Sequence, residues 1–175
     1  MSTTSYADAL FASAHHAGRV RQIWAKLRGQ SRQLLDLNSV AATGTVSDRR
    51  AAGMQTVPIR QIRGSEGRSD DFDREFRPLK AHTENRWVSV ATAQLRGLGL
   101  PAVDLIQVGE VYFVRDGHHR ISVGAALGQQ EIDAVVTVWH VAEPMLQESA
   151  VVQHPQQHRP WAFLPRLTWR SAGDA

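Results

Sequence analysis

The sequence contains no cysteine, and lysine occurs at only two positions. The absence of cysteine excludes disulfides, thiolate nucleophiles and cysteine-based zinc or iron–sulfur sites. Long apolar runs are also absent, so we expect no transmembrane helix and no membrane partner. No basic region precedes the first apolar residues, which argues against a secretory signal. We therefore expect a soluble, cytoplasmic protein.

Arginine supplies most of the positive charge, since 18 of the 20 basic residues are arginine and the formal net charge is +3. An excess of basic over acidic residues is compatible with nucleic acid or phosphate-bearing partners. The arginines are scattered along the 175 residues, however, and a solvated surface explains them as well. DNA therefore stays open as a partner, although no helix-turn-helix pattern indicates it.

The first 40 residues favour a helical arm, because four apolar residues recur at the spacing of one helix face. Gly29 is placed to end this helix, and Ser31 is placed to begin a short second one. We interpret residues 41–56, which are small and polar, as a linker. The four apolar residues are Val20, Ile23, Trp24 and Leu27.

Residues 57–139 have the pattern of a small α/β domain. The predicted elements are a strand at 57–62, a polar loop reaching Pro78, a helix at 84–97, a hairpin at 102–115, a helix closed by Gly128 and a strand at 131–139. Residues 140–175 are proline-rich, and their apolar residues show no sustained periodicity, which indicates an irregular tail. The apolar residues in this tail and the helical arm leave a homodimer open.

The segment VYFVRDGHHRISVGAALG is the most informative for function. A strand ends at Asp116, Gly117 makes a turn, and a helix begins near His119. A helix start presents free N–H groups, and a glycine without Cβ lets a phosphate approach the backbone. Asp116 is placed either to cap the helix or to face a Mg²⁺. His118, His119 and Arg120 add donors, while adjacent histidines on a helix point apart and make a metal site unexpected.

Three segments resemble the ParB/sulfiredoxin superfamily: VPIRQIRGSEGRSDDFDREFRPL, LPAVDLIQVGEVYFVRDGHHRISVGAALG and IDAVVTVW. More closely, they are similar to short bacterial proteins with a ParB-like N-terminal domain, in which a D-G-H-H-R run such as 116–120 is fairly specific. The resemblance implies an α/β fold with a mixed sheet and packed helices. It also implies that the 116–120 loop contacts the phosphates of a nucleotide such as ATP or CTP, with Mg²⁺.

Positions at which this sequence differs from the superfamily argue against two of its functions. Sulfiredoxin chemistry needs a cysteine where this chain has His118, so that activity is excluded. Partition proteins of the ParB type need a helix-turn-helix and a dimerisation domain, which the 36 residues after Trp139 cannot both supply. Sequence-specific partition function is therefore not expected.

A facing loop is expected to complete the phosphate site. Arg68 and Arg74 would neutralise phosphate charge, and the other residues assigned to this loop are Gly64, Ser65 and Gly67. The resemblance extends to free-serine kinases, which use an upstream carboxylate to activate a hydroxyl. Glu66 and Asp73 are the candidate catalytic bases for such a reaction.

Three functions follow from these residues. The first is a module that binds a nucleoside triphosphate as a regulatory or assembly switch, with at most slow hydrolysis. The second is a small-molecule phosphotransferase, and the third is a DNA-associated, partition-type protein. Product formation separates the first two, and salt-sensitive DNA binding would support the third.

Overall fold

A computed structural model describes residues 2–42 and 46–141. The helices and strands, in chain order, are α1 (Thr3–Leu27), β1 (Leu35–Asp36), α2 (Leu37–Ala42), β2 (Val46–Pro58), β3 (Ile62–Ser65), α3 (Glu84–Leu95), β4 (Val103–Val108), β5 (Val111–Asp116), α4 (His118–Ala126) and β6 (Glu131–Val141). Short 3-10 turns lie at Ile59–Gln61 and Ala81–Thr83. None of the described helices is long and apolar enough to cross a membrane.

The strands form one mixed sheet in the order β1-β3-β5-β4-β6-β2. β3 is parallel to β1 and β5, and β4 is parallel to β6. The β4–β5 and β2–β6 pairs are antiparallel. The predicted α/β class with a mixed sheet and packed helices is therefore confirmed. The parallel β3–β5 pair matters most for function, because it brings the segments that follow these two strands side by side.

The sheet is buried on both faces, as the alternation along β4 shows. Val103 and Leu105 belong to the larger core cluster with Phe11 and Trp87, whereas Ile106 belongs to a second cluster. Successive strand residues point to opposite faces, so each face contributes its own core. The rings of Phe11 of α1 and Trp87 of α3 meet edge to face at 5.5 Å. This contact holds the N-terminal helix against the domain.

Several predicted elements are confirmed. β4 and β5 form the hairpin expected at 102–115, with Gly109 in its turn at φ 59°. α3 begins at Glu84, as predicted for the helix at 84–97, and buries Trp87 and Ala91. β6 covers the strand expected at 131–139. The predicted tail lies outside the described residues from position 142 onward.

The linker predicted at 41–56 is wrong, because most of it is the 13-residue strand β2. β2 is an edge strand that pairs with β6 alone, and most of its side chains are exposed. Such a strand is held by backbone hydrogen bonds on one side and needs no apolar alternation. The strand predicted at 57–62 is divided accordingly: Val57 and Pro58 end β2, and Ile62 begins β3.

The prediction of which side of the first helix is buried is also wrong. Val20, Ile23, Trp24 and Leu27 are exposed, with 56% of Trp24 accessible. The buried residues of α1 are mostly small, namely Ala7, Phe11, Gly18 and Ala25. A Cβ at Gly18 would lie 3.0 Å from the Pro78 carbonyl oxygen. The helix therefore packs closely through small residues, which a search for apolar side chains does not find.

The second helix of the arm does not begin at Ser31. Residues 31–34 carry no helix, Leu35–Asp36 form β1, and α2 begins at Leu37. The expected end of the first helix is confirmed, because Gly29 follows α1 with φ 66°. A run of leucines fits a helix and a short parallel edge strand equally well, and pairing with β3 decides between them.

Candidate functional site

The helix that follows β5 begins without a side-chain cap. Gly117 is its N-cap residue, is buried, and has φ 102° and ψ 17°. The first bond of the helix runs from the Ile121 N–H to the Gly117 carbonyl oxygen at 3.0 Å. The N–H groups of the preceding first-turn residues therefore have no partner within the helix. The strand–glycine–helix prediction is confirmed as structure, with the helix beginning at His118.

Asp116 does not cap this helix, contrary to one of its two expected roles. Its carboxylate accepts a hydrogen bond from Arg120 Nη2 at 2.6 Å, and 78% of its side chain is exposed. Arg120 Nη1 also donates to the carbonyl oxygens of Pro101 and, at 2.7 Å, of Ala102. Arg120 therefore ties α4 to the segment before β4, and its guanidinium is already occupied.

A buried hydrogen bond joins the two predicted loops. Ser65 Oγ lies 2.7 Å from His118 Nε2, and both residues are buried. The Arg68 N–H donates to the same hydroxyl at 3.1 Å, which leaves the hydroxyl proton free for His118 Nε2. Gly67 provides the left-handed residue of this turn, with φ 87°. We call Ser65, Gly67, Arg68, Gly117, His118 and His119 the loop site.

Phe72 is the floor of the loop site, and the sequence did not single it out. Its ring is fully buried, stacks on His118 at 6.1 Å and meets the edge of His119 at 5.5 Å. Phe72 also belongs to the larger core cluster. The histidines are therefore held in fixed positions by the core rather than by solvent-exposed turns.

Both histidines of the loop site are kept neutral. Burial, together with the positive charge of Arg68, lowers the pKa of His118 to about 4. Burial, together with Arg68 and Arg86, also lowers the pKa of His119. The carboxylate of Asp71 opposes both shifts without cancelling them. His119 Nε2 is buried and has no hydrogen-bond partner among the described residues, so it can still accept or donate one bond.

The lowered pKa of His118 predicts acid sensitivity. Below pH 6.5 the unfolded chain binds a proton at this histidine that the folded chain rejects until about pH 4. Stability is therefore complete above the unfolded pKa and is lost as pH falls. We expect His118 alone to lower the free energy of unfolding by about 2 kcal/mol between about pH 7.5 and about pH 5. Urea unfolding at the two pH values measures this loss.

The His118→Gln variant is the control, because glutamine keeps a hydrogen-bonding group near Ser65 and does not titrate. Its loss of stability over the same range should be smaller than that of the unchanged protein by about 2 kcal/mol. His119 remains in both proteins, so its contribution cancels in the difference. Equal losses in the two proteins would contradict the buried, neutral state of His118.

The two candidate bases differ sharply in their surroundings. Glu66 is partly exposed, and its Oε2 accepts a bond from Arg115 Nε at 3.3 Å. Asp73 is 1% exposed, and its oxygens accept from the Glu75 and Arg77 N–H groups and from Arg77 Nη1. Asp73 therefore organises a turn and is enclosed within it.

Two further predicted residues have contacts outside the loop site. Gly64 is buried in β3, where a Cβ would overlap the ring of Phe113, so close packing already accounts for this glycine. Arg74 donates from Nε to the Gln33 carbonyl oxygen at 3.3 Å and lines a separate cleft. The loop site thus contains six of the predicted residues, whereas Gly64, Asp73 and Arg74 have other contacts.

A metal centre built from protein ligands is not indicated. In residues 2–42 and 46–141, no group of three histidine, aspartate or glutamate side chains is placed to hold an ion. The donors at the loop site are backbone N–H groups, neutral imidazoles and a guanidinium, which suit an anion better than a cation.

Comparison with known proteins leaves the family open. No protein-family model and no curated protein matches the chain. Among solved structures, the chain is similar to sulfiredoxin from Arabidopsis thaliana, with 23% sequence identity and a TM-score of 0.33. The match covers 47% of this chain and 82% of that chain. A likeness this weak says nothing about activity, so function has to be argued from the residues of the chain itself.

Proposed function

We propose that this chain binds a nucleoside triphosphate, ATP or CTP with Mg²⁺, at the loop site. The observation that carries the proposal is the uncapped start of α4, where a left-handed Gly117 precedes free N–H groups. The orphaned Nε2 of His119 lies at the same place. The resemblance to ParB-like proteins supports the same ligand. Binding would act as a regulatory or assembly switch, with at most slow hydrolysis.

Each group at the loop site has a distinct part in this proposal. The N–H groups of the first turn of α4 donate to phosphate oxygens, where the helix dipole favours negative charge. Arg68 is exposed, and its charge is felt by both His118 and His119. Its guanidinium therefore lies near the helix start, and a guanidinium bonds phosphate in a planar, bidentate manner.

Binding is favoured over phosphoryl transfer by the state of the carboxylates. Transfer to a hydroxyl requires a base within hydrogen-bond reach of the acceptor. Asp73 is enclosed in its own turn, and Glu66 is paired with Arg115. Partition-type DNA binding has no feature at this site to support it. We therefore keep nucleotide binding as the function and expect slow hydrolysis at most.

The test is thermal and chemical unfolding of the full chain with ATP, CTP, GTP and UTP, each with and without Mg²⁺. A nucleotide at about 100 times its dissociation constant should add roughly 2.7 kcal/mol to the free energy of unfolding. The Arg68→Gln variant should bind that nucleotide about tenfold more weakly or worse, because it loses charge-assisted bonds to phosphate. Calorimetric titration measures the affinity of both proteins.

The matched control is Arg96→Gln, which removes the same charge from the C-terminal end of α3. Arg96 is the C-cap residue of α3 and lies ten residues beyond Arg86, or about 15 Å by helix geometry. Arg86, like Arg68, is a residue whose charge reaches His119. Affinity in the control should stay within about twofold of the unchanged protein. The proposal fails if no nucleotide stabilises the chain, or if both variants weaken binding equally.

A further inference from the structure

A second concave surface, which we call the arginine cleft, lies where α1, the segment after α1 and the C-terminal half of α4 meet. Its volume is about 1190 Å³, enough for an organic molecule of ordinary size. α4 contributes Ser122, Ala125 and Ala126 to this cleft, whereas its first two residues belong to the loop site. The two sites share no lining residue.

The charge of the cleft is strongly unbalanced. Glu75 is the one acidic residue among the described residues that line it. The buried Asp73 lies behind it and pairs with Arg77. Even with both carboxylates counted, positive charge remains in excess by three. The arginines that line the cleft are Arg32, Arg60, Arg63, Arg74 and Arg77.

Among the residues that the structure describes, two of these arginines have an acidic partner. Glu75 pairs with Arg32 and, at 3.1 Å, with Arg77. Within the described residues, the other three have no carboxylate at ion-pair distance. Arg63 Nε bonds the Arg60 carbonyl oxygen at 3.1 Å, and Arg74 Nε bonds the Gln33 carbonyl oxygen at 3.3 Å. Most of their N–H donors therefore stay unused.

An unsatisfied donor lies inside the cleft wall. Arg32 Nε is buried and has no hydrogen-bond partner among the described residues, although Arg32 already pairs with Glu75. Leaving a buried donor unpaired costs about 1–3 kcal/mol. Guanidinium groups gathered in one cleft also repel each other, and a bound anion would relieve this repulsion.

We propose that the arginine cleft binds a small organic molecule that bears phosphate. Guanidinium forks match phosphate oxygens in pairs, so arginine side chains suit a phosphate group. The rest of the cleft wall favours a ligand that has an organic part as well as phosphate, because Leu10, Ala14 and Phe76 provide apolar surface beside the arginines. This ligand is separate from the nucleotide at the loop site, so each site can bind when the other is empty.

The experiment is a titration of the full chain with inorganic pyrophosphate, followed by NMR of the arginine Nε–Hε groups. We expect the signals of Arg32, Arg63 and Arg74 to shift together and to saturate. The organic body is then tested with a sugar bisphosphate, which should bind more tightly than pyrophosphate because it also covers the apolar wall. Shifts confined to Arg68, which belongs to the loop site, would overturn the proposal.

Two matched variants make the test quantitative. Arg60→Gln with Arg63→Gln should weaken pyrophosphate binding at the cleft about tenfold or more. Arg50→Gln with Arg96→Gln removes the same charge from exposed positions outside the cleft and should change affinity by less than about twofold. Equal weakening by both pairs, or no weakening by either, would show nonspecific attraction and reject the site.

Discussion

Replacing Asp73 with alanine is expected to lower the free energy of unfolding by about 3 kcal/mol. The Asp73 carboxylate accepts bonds from the Glu75 N–H at 3.0 Å, the Arg77 N–H at 2.8 Å and Arg77 Nη1 at 3.2 Å. Alanine leaves these donors without their acceptor in a part-buried turn. Phe76 adopts a φ of 56° in the same turn, which an L residue tolerates only when neighbouring contacts hold it. Urea unfolding measures the loss.

Asp70→Ala is the control for this prediction. Asp70 is exposed, and its carboxylate accepts one bond, from Gln33 Nε2 at 3.1 Å. Its removal should change stability by about 0.5 kcal/mol or less. If Asp73→Ala folds as stably as Asp70→Ala, then Asp73 does not organise the turn. The Asp73 carboxylate would in that case be free to act as the base that the sequence suggested.

Local pattern was sufficient to predict the central part of the fold. The β4–β5 hairpin follows from two β-rich runs around Gly109, and α3 follows from the helical pattern at 84–97. In each of these elements, the residues that form it are neighbours in the sequence. The prediction therefore did not depend on which distant segment each element would meet.

Long-range packing explains the errors. Whether residues 46–56 form a strand depends on pairing with β6, and their exposed side chains give no apolar period. The buried side of α1 depends on close approach to Pro78, which Gly18 permits, while the more apolar Trp24 stays exposed. Neither partner segment can be recognised from the sequence of the element itself.

The loop site was partly predictable for the same reason. The strand–glycine–helix turn at Gly117 is local, and its residues suggested an anion site directly. The bond between Ser65 and His118 depends on the parallel pairing of β3 with β5, which the sequence did not reveal. Phe72 and the buried state of both histidines depend on the core. The arginine cleft combines residues from distant segments, so no single motif indicated it.

Replacing Gly117 with alanine is the second large effect that we expect, a loss of about 3 kcal/mol in the free energy of unfolding. The residue has φ 102°, which costs an L side chain about 1–2 kcal/mol. A Cβ would also lie 2.5 Å from Val103 Cγ1 and 3.1 Å from Arg120 Nη2, which adds a packing cost of about 1–3 kcal/mol. Thermal and urea unfolding of the variant measure the total.

Gly99→Ala is the matched control, because a Cβ at Gly99 meets nothing within 4 Å and the backbone there is not left-handed. Its stability should stay within about 0.5 kcal/mol of the unchanged chain. Equal stability of the two glycine variants would contradict the left-handed start of α4. Because that start directs the first-turn N–H groups, a folded Gly117→Ala protein should also bind nucleotide about tenfold more weakly. Full nucleotide affinity in that variant would separate the helix start from the proposed binding site and remove the observation that carries the proposal.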